Sequence, residues 1–222
     1  MNRLKTVSRI ILIIAIPILI LTLSQNLIYR LPDAYLYYFN DSQCLDKLYL
    51  SMSNSEMADA LTDLLNRFQP DPETFNIYVD TGYDELGIFD SRDAYNLQMM
   101  KKALDMSTLF CIISLILVTA VYVFLLRQEE KKMLRTSFVI GAVISVILMI
   151  AQAVVLPASA MRERIFTVIG VRPFYEDSAL NMILTDSFWN MITVFLTGMS
   201  LIVMGIAAYI QYRLTRPPRI FY

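Results

Sequence analysis

The chain has 222 residues, 56% of them hydrophobic, with a mean hydropathy of +0.51 and 19 basic against 20 acidic side chains. So apolar a chain is excluded from the ordinary soluble class, and its balanced charge gives no footing for a nucleic-acid partner. There is no histidine, which excludes a triad of the usual kind and any cysteine–histidine metal site.

A bilayer core needs about 20 apolar residues in a row to be crossed as a helix. Four uncharged runs meet that length: Ile10–Tyr29, Met106–Leu126, Thr136–Met161 and Ser187–Tyr212. The first follows Arg3, Lys5 and Arg9, as a signal peptide would, but LTLSQN after it contains no small-x-small cleavage site. An uncleaved signal-anchor is the better reading. Cys44 and Cys111 are the only cysteines, and Cys111 lies inside the second run. No disulfide framework, metal site or cofactor is expected.

Three flanks are basic: Arg3, Lys5 and Arg9; Arg127, Lys131, Lys132 and Arg135; and Arg213, Arg216 and Arg219. The positive-inside rule puts them on one side only if the chain crosses four times with both termini cytoplasmic. The expected architecture is an all-α cell-membrane protein with four transmembrane helices and a small mixed α/β extracytoplasmic domain between the first two. The boundaries read 1–29 for the N-terminus and first helix and 30–105 for the extracytoplasmic domain. The second helix is 106–126, a cytoplasmic loop 127–135 and the third helix 136–156. An extracytoplasmic loop covers 157–187, the fourth helix 188–212 and a cytoplasmic tail 213–222.

Residues 30–105 carry fourteen acidic and six basic side chains, a net charge of −8, which reads first as a solvated acidic surface. Within them Ser53 and Glu56 form a capping-box pattern. Met57, Leu61, Leu64, Leu65 and Phe68 follow at helical spacing, up to the proline break at Gln69-Pro70-Asp71-Pro72. Phe75–Val79 reads as a strand, Thr81–Asp84 as a turn and Glu85–Phe89 as its partner strand. Asp90 or Ser91 then caps a helix that runs into the second span. In the loop 157–187, Pro157 ends the third span, Gly170 and Pro173 break the chain, and 179–184 turns apolar again. Tyr29 and Trp189 stand where interfacial aromatic anchors are expected.

No nucleophile elbow, P-loop or dinucleotide fingerprint is present. The remaining chemistry lies in carboxylates and cations beside the membrane. Asp93, Asn96 and Met100 share one helical face, with Lys101 and Lys102 next to them. Arg162, Glu163, Arg164 and Arg172 form a second group, followed by Glu176 and Asp177. If spans two to four bundle, both groups converge on one outer pocket, where Arg162, Arg164 and Arg172 would hold a phosphate or carboxylate. The plainer reading is that these cations snorkel to the interface as anchors.

Four spans, an outer domain of this size and a short second outer loop resemble the bacterial lipoprotein intramolecular transacylases (Lit), over most of the chain. The most specific stretch is GIFDSRDAYNLQMMKKAL, where the family tends towards H-M-x-D-V-K at the entry to the second span. LSMSNSEMADALTDLLNRF, and the order ERIF, EDSALNMIL and SFW, match more loosely. The resemblance implies transfer of an acyl chain from the glyceryl group to the amine of a lipoprotein's N-terminal cysteine. Such a reaction needs a base for the ammonium proton and donors for an oxyanion. The family's motif histidine falls on Asn96, its aspartate on Met99 and its second histidine near Arg162. Asparagine is no base near neutral pH, so Asn96, Asp93, Lys101 and Glu163 stand as catalytic candidates. Two readings follow, with membrane lipids or lipoproteins as partners of either. One is a divergent acyltransferase; the other is a non-catalytic relative that binds lipid or lipoprotein, or an accessory membrane subunit. A sensor of cell-wall components is a weaker third, and a transporter is disfavoured because the spans contain no charges.

Overall fold

The computed structural model describes residues 2–43, 45, 52–67, 75–80 and 85–216. Cys44, Phe68, the proline break at 69–72, the turn 81–84 and Arg219 lie outside the described residues. Eight helices and two strands follow in order among them: α1 (Asn2–Tyr29), α2 (Pro32–Ser42), α3 (Asn54–Asn66), β1 (Tyr78–Asp80), β2 (Glu85–Gly87), α4 (Ser91–Arg127), α5 (Lys131–Val155), α6 (Ser159–Val168), α7 (Ala179–Ile183) and α8 (Asp186–Thr215). Of these, α1, α4, α5 and α8 are long and apolar enough to cross a membrane. The chain divides into two compact units.

One unit comprises residues 1–25, 107–152 and 197–222. Its core is a seam of Leu12, Ile16 and Ile20 on α1, Val121 and Leu125 on α4, and Leu134 and Phe138 on α5. Gly141 lets α1 and α5 approach closely: a Cβ there would lie 3.2 Å from Ile16 Cβ. Polar contacts between helices add fixed points in a setting where apolar association is weak. Tyr122 donates to Gln211 Oε1 at 2.5 Å, and Arg135 donates to the Thr215 hydroxyl and carbonyl at 3.0 and 2.6 Å. Lys5 pairs with Glu130. The opposite faces are bare hydrocarbon, Leu115 and Ile116 being 53% and 61% exposed. In water such surfaces would aggregate, whereas in a bilayer they are the solvated side. The protein is a multi-pass membrane protein.

The other unit comprises residues 26–106 and 153–196. Pro32 opens α2 inside its first turn, where a missing N–H costs nothing. The helix buries Ala34, Tyr35, Tyr38 and Phe39 on one face, and that burial pushes the Tyr35 phenol pKa upwards. α2 packs on α3. α3 begins with the expected capping box: Ser53 Oγ accepts the Glu56 amide and the Glu56 carboxylate accepts the Ser53 amide. Those bonds hold the Glu56 carboxyl below its ordinary pKa, so they stabilise α3 above the carboxylate range and are lost as the pH falls through it. Ser53→Ala is expected to cost about 1 kcal/mol, read as a lower thermal midpoint and faster amide exchange in the first turn of α3.

The strand component is smaller than the mixed α/β domain that residues 30–105 suggest. Among the described residues it is a single antiparallel ladder of two three-residue strands, pairing Tyr78 with Gly87, Val79 with Leu86 and Asp80 with Glu85. Beyond the strands one backbone bond continues, Ile88 N–H donating to Ile77 O at 2.9 Å, and the Asn76 side chain then takes the place of the ladder. Its Nδ2 donates to Phe89 O at 2.7 Å and its Oδ1 accepts Phe89 N–H at 3.0 Å. Gly87 makes room for it, since a Cβ at that position would stand 2.6 Å from Asn76 Nδ2.

Asp90 caps α4, its carboxylate accepting the amides of Arg92 and Asp93 at 2.8 and 2.6 Å. α4 then runs unbroken to Arg127, so the polar lead-in and the apolar run form one helix. The third uncharged run reaches Met161 in sequence, but α5 stops at Val155, ahead of Pro157. Proline disfavours helical geometry in the residue before it, and Met161 belongs to α6.

Candidate functional site

The segment joining α5 to α8 is placed by a sharp helix end. Gly170, at φ 88°, closes α6; its amide donates to Thr167 O and the Val171 amide to Phe166 O at 2.8 Å. This pair of bonds is a Schellman motif, whose left-handed residue favours glycine. Val171 is thereby buried, and Arg172 is brought against α4.

There it meets Asn96, which is fully buried. Asn96 Nδ2 donates to Arg172 O at 3.0 Å and Asn96 Oδ1 accepts Arg172 N–H at 2.8 Å. The carboxamide thus pairs with one backbone residue as a neighbouring strand would. One turn earlier, Asp93 is 1% exposed, and its Oδ2 accepts the Leu180 amide at 2.9 Å. Ser178 Oγ accepts the next amide of α7, that of Asn181, at 3.2 Å. α7 is therefore capped by its own serine and by a carboxylate from α4, which suits the positive end of a helix.

Lys101 is also buried, and its ammonium donates to Asp105 Oδ2 at 2.5 Å, four residues on. The other oxygen of Asp105 receives Arg30 at 2.7 Å. Arg30 in turn donates to Leu65 O and Asn66 Oδ1, both at 3.0 Å. Lys101 is thus one end of a network joining the ends of α1 and α3 to α4.

Arg162 is 8% exposed and has three kinds of partner. It donates to Leu156 O at 2.9 Å, beyond the end of α5, and to Asp186 Oδ1 at 2.6 Å, at the start of α8. Its guanidinium also lies 5.3 Å from the Trp189 ring centroid. Glu163 and Arg164 are exposed. Arg172 keeps its side chain exposed, with Cζ 4.3 Å from the Tyr95 centroid.

Asn96 meets the backbone of Arg172 and Asp93 that of Leu180, so the two side chains hold this segment by backbone contacts and do not line an open pocket. Lys101 and Arg162 belong to separate networks. A cavity of 610 Å³ lies elsewhere in the same unit, and none of the candidate residues lines it. Its walls are polar at Tyr37, Asp41, Ser42 and Ser187, and apolar at Met191 and Phe195 on α8. Tyr37 and Phe195 meet edge to face at 5.5 Å, and Tyr38 OH bonds the Thr185 hydroxyl at 2.7 Å. The sequence held a signal for the helix that carries part of this wall, since Tyr35, Tyr38 and Phe39, the buried face of α2, recur at helical spacing behind Pro32 and Asp33.

No protein-family model and no curated protein matches the chain. Solved structures do. The membrane-integral lipoprotein intramolecular transacylase Lit from Bacillus cereus is 15% identical, with a TM-score of 0.67 over 96% of this chain and 98% of its own. A variant of that protein with a histidine replaced by arginine is 13% identical, with a TM-score of 0.67 over 96% of this chain and 94% of its own. A histidine-to-alanine variant is 14% identical, with a TM-score of 0.66 over 94% of each chain. At such identities the likeness is one of fold, and the chain has a Lit-like fold.

Proposed function

We propose that this membrane protein binds an acyl-bearing amphiphile, a lipid or a lipoprotein, without transferring its acyl chain. The observation that carries this reading is the pairing of Asn96 with Arg172. Acyl transfer to an amine needs a group that takes the ammonium proton and donors that meet a developing oxyanion. A neutral carboxamide does not take that proton. Both polar atoms of Asn96 already hold backbone partners in a fully buried place. Absence of a positioned base costs about 10²–10⁴-fold in rate. Asp93, Lys101 and Arg162, the other buried candidates, are likewise engaged within the protein.

The cavity beside α2 and α8 supports binding. At 610 Å³ it falls in the range of about 300–1,000 Å³ typical of small-molecule sites. Its polar rim and apolar wall suit a headgroup joined to a chain. The basic flanks favour both termini inside, which would put this cavity on the outer side. The second reading, a divergent acyltransferase, is favoured by the fold likeness over almost the whole chain, with exposed Glu163 as its remaining carboxylate.

Mass spectrometry of lipoprotein N-termini, with and without this gene expressed, separates the two. Unchanged termini are expected, together with lipid or lipoprotein that co-purifies with the protein. Appearance of lyso-form lipoprotein on expression would establish transfer and overturn the binding-only reading.

A further inference from the structure

Two arginines on neighbouring elements are each stacked on a tyrosine of the other element and form no ion pair among the described residues. Arg92 and Tyr95 are three residues apart on α4, so they are neighbours on one face, separated by about 4.5 Å of rise. Arg172 Cζ lies 4.3 Å from the Tyr95 ring centroid, and Arg92 Cζ lies 4.0 Å from that of Tyr175. The stacks run in opposite chain directions, the earlier α4 residue meeting the later loop residue. Stacking fixes the plane of a guanidinium and leaves its N–H edge available.

Neither arginine takes part in any ion pair among the described residues. Asp93 is near enough to Arg92 to feel its charge, but no carboxylate among the described residues forms a direct pair with either arginine. Asp90 is engaged with the first amides of α4 and Asp93 with the first turn of α7. Glu176 and Asp177 follow Tyr175 directly and are exposed, yet pair with neither. Arg92 Nε is buried and has no hydrogen-bond partner among the described residues. A buried donor without an acceptor is costly.

We infer that Arg92 and Arg172 form a clamp for a phosphate group. A planar carboxylate is met by one guanidinium, edge to edge. Two guanidiniums on separate rings present donors in two planes, which suits the tetrahedral oxygens and higher charge of phosphate. Arg92 stands fourteen residues ahead of Met106, about 21 Å along the helix from the start of the apolar run. The clamp therefore reaches a phosphate well beyond that run. This site is distinct from the cavity beside α8 and does not depend on the binding reading above.

Full-length protein in detergent tests the clamp by titration with inorganic phosphate, read as the rise in thermal midpoint. The wild type is expected to respond, and Arg92→Gln and Arg172→Gln to weaken the apparent affinity about tenfold or more each. Arg172→Lys keeps the charge but loses the planar fork, and is expected to fall between them. A second arm measures, by native mass spectrometry, phosphatidylglycerol against phosphatidylcholine retained from nanodiscs. Preference for phosphatidylglycerol that is lost in both glutamine variants assigns the clamp to a lipid phosphate. A response to inorganic phosphate without that preference assigns it to a soluble phosphate group. Equal behaviour of wild type, both glutamine variants and Arg172→Lys in both arms overturns the clamp.

Discussion

Asn96→Ala is expected to destabilise the protein by about 1–3 kcal/mol, because it leaves two part-buried backbone groups unpaired where a buried one alone costs about 1–3 kcal/mol. The two groups are the N–H and C=O of Arg172, both served by the one carboxamide. The loss should be local first. Amide exchange should quicken between Gly170 and Leu180 before the thermal midpoint of the whole chain moves, because Asn96 and Asp93 hold that segment together. Asn96→Asp separates a pairing role from a merely space-filling one. Its carboxylate still accepts the Arg172 amide, but sets negative charge against the Arg172 carbonyl. Burial would raise the folded-state pKa of this new carboxyl. Below that raised pKa the acid form donates as the amide does, so the stability of the variant should rise as the pH falls through it. Wild type has no such gain from Asn96. If Asn96→Ala leaves both the midpoint and the exchange unchanged, the side chain does not hold the segment. The Asn96 carboxamide would then be open to other partners.

What could be read in advance follows from how far each interaction reaches along the chain. The four spans are legible because each is a continuous apolar run longer than a bilayer is thick, a property of the residues themselves. The α3 cap and the Asp90 cap are legible for the same reason, since their partners lie two or three residues away. Lys101 to Asp105 was within reach too, at a spacing of four on one helix, although Lys101 reads more readily as an anchor. α2 is harder. Its aromatic stripe is short, and its polar residues resemble those of a loop. The candidate site is least legible. Spacing on α4 puts Asp93 and Asn96 on one face, but nothing local says that their partners are backbone atoms 87 and 76 residues later, respectively. Sequence reading treats a buried polar side chain near a membrane as chemistry in waiting. Here the same burial is explained by loop attachment.

Arg162 gives the second large effect, and the order of its variants decides which partner matters. Arg162→Ala removes a charged donor from the Leu156 carbonyl and from Asp186, along with the stack on Trp189. Hydrogen bonds to charged groups contribute about 1.5–3 kcal/mol each, and the two are not independent, so about 3 kcal/mol is expected. The carboxylate should be the smaller part. The Asp186 side chain is 71% exposed while that of Arg162 is 10% exposed, and an exposed carboxylate is screened by water. Asp186→Asn is therefore expected to cost only about 1 kcal/mol, and less at high salt. Arg162→Lys keeps a charge but cannot reach two partners with one rigid fork, so it should fall between the two. Thermal midpoints of the three variants in one detergent give the order. If Asp186→Asn proves as damaging as Arg162→Ala, the ion pair is the main contact. If the expected order holds, the main role of Arg162 is to satisfy the carbonyl left open beyond α5, where Pro157 prevents the helix from continuing and closing its own bonds. In that case Arg162 seals the end of α5 from the first turn of α6, and its burial is explained by that contact.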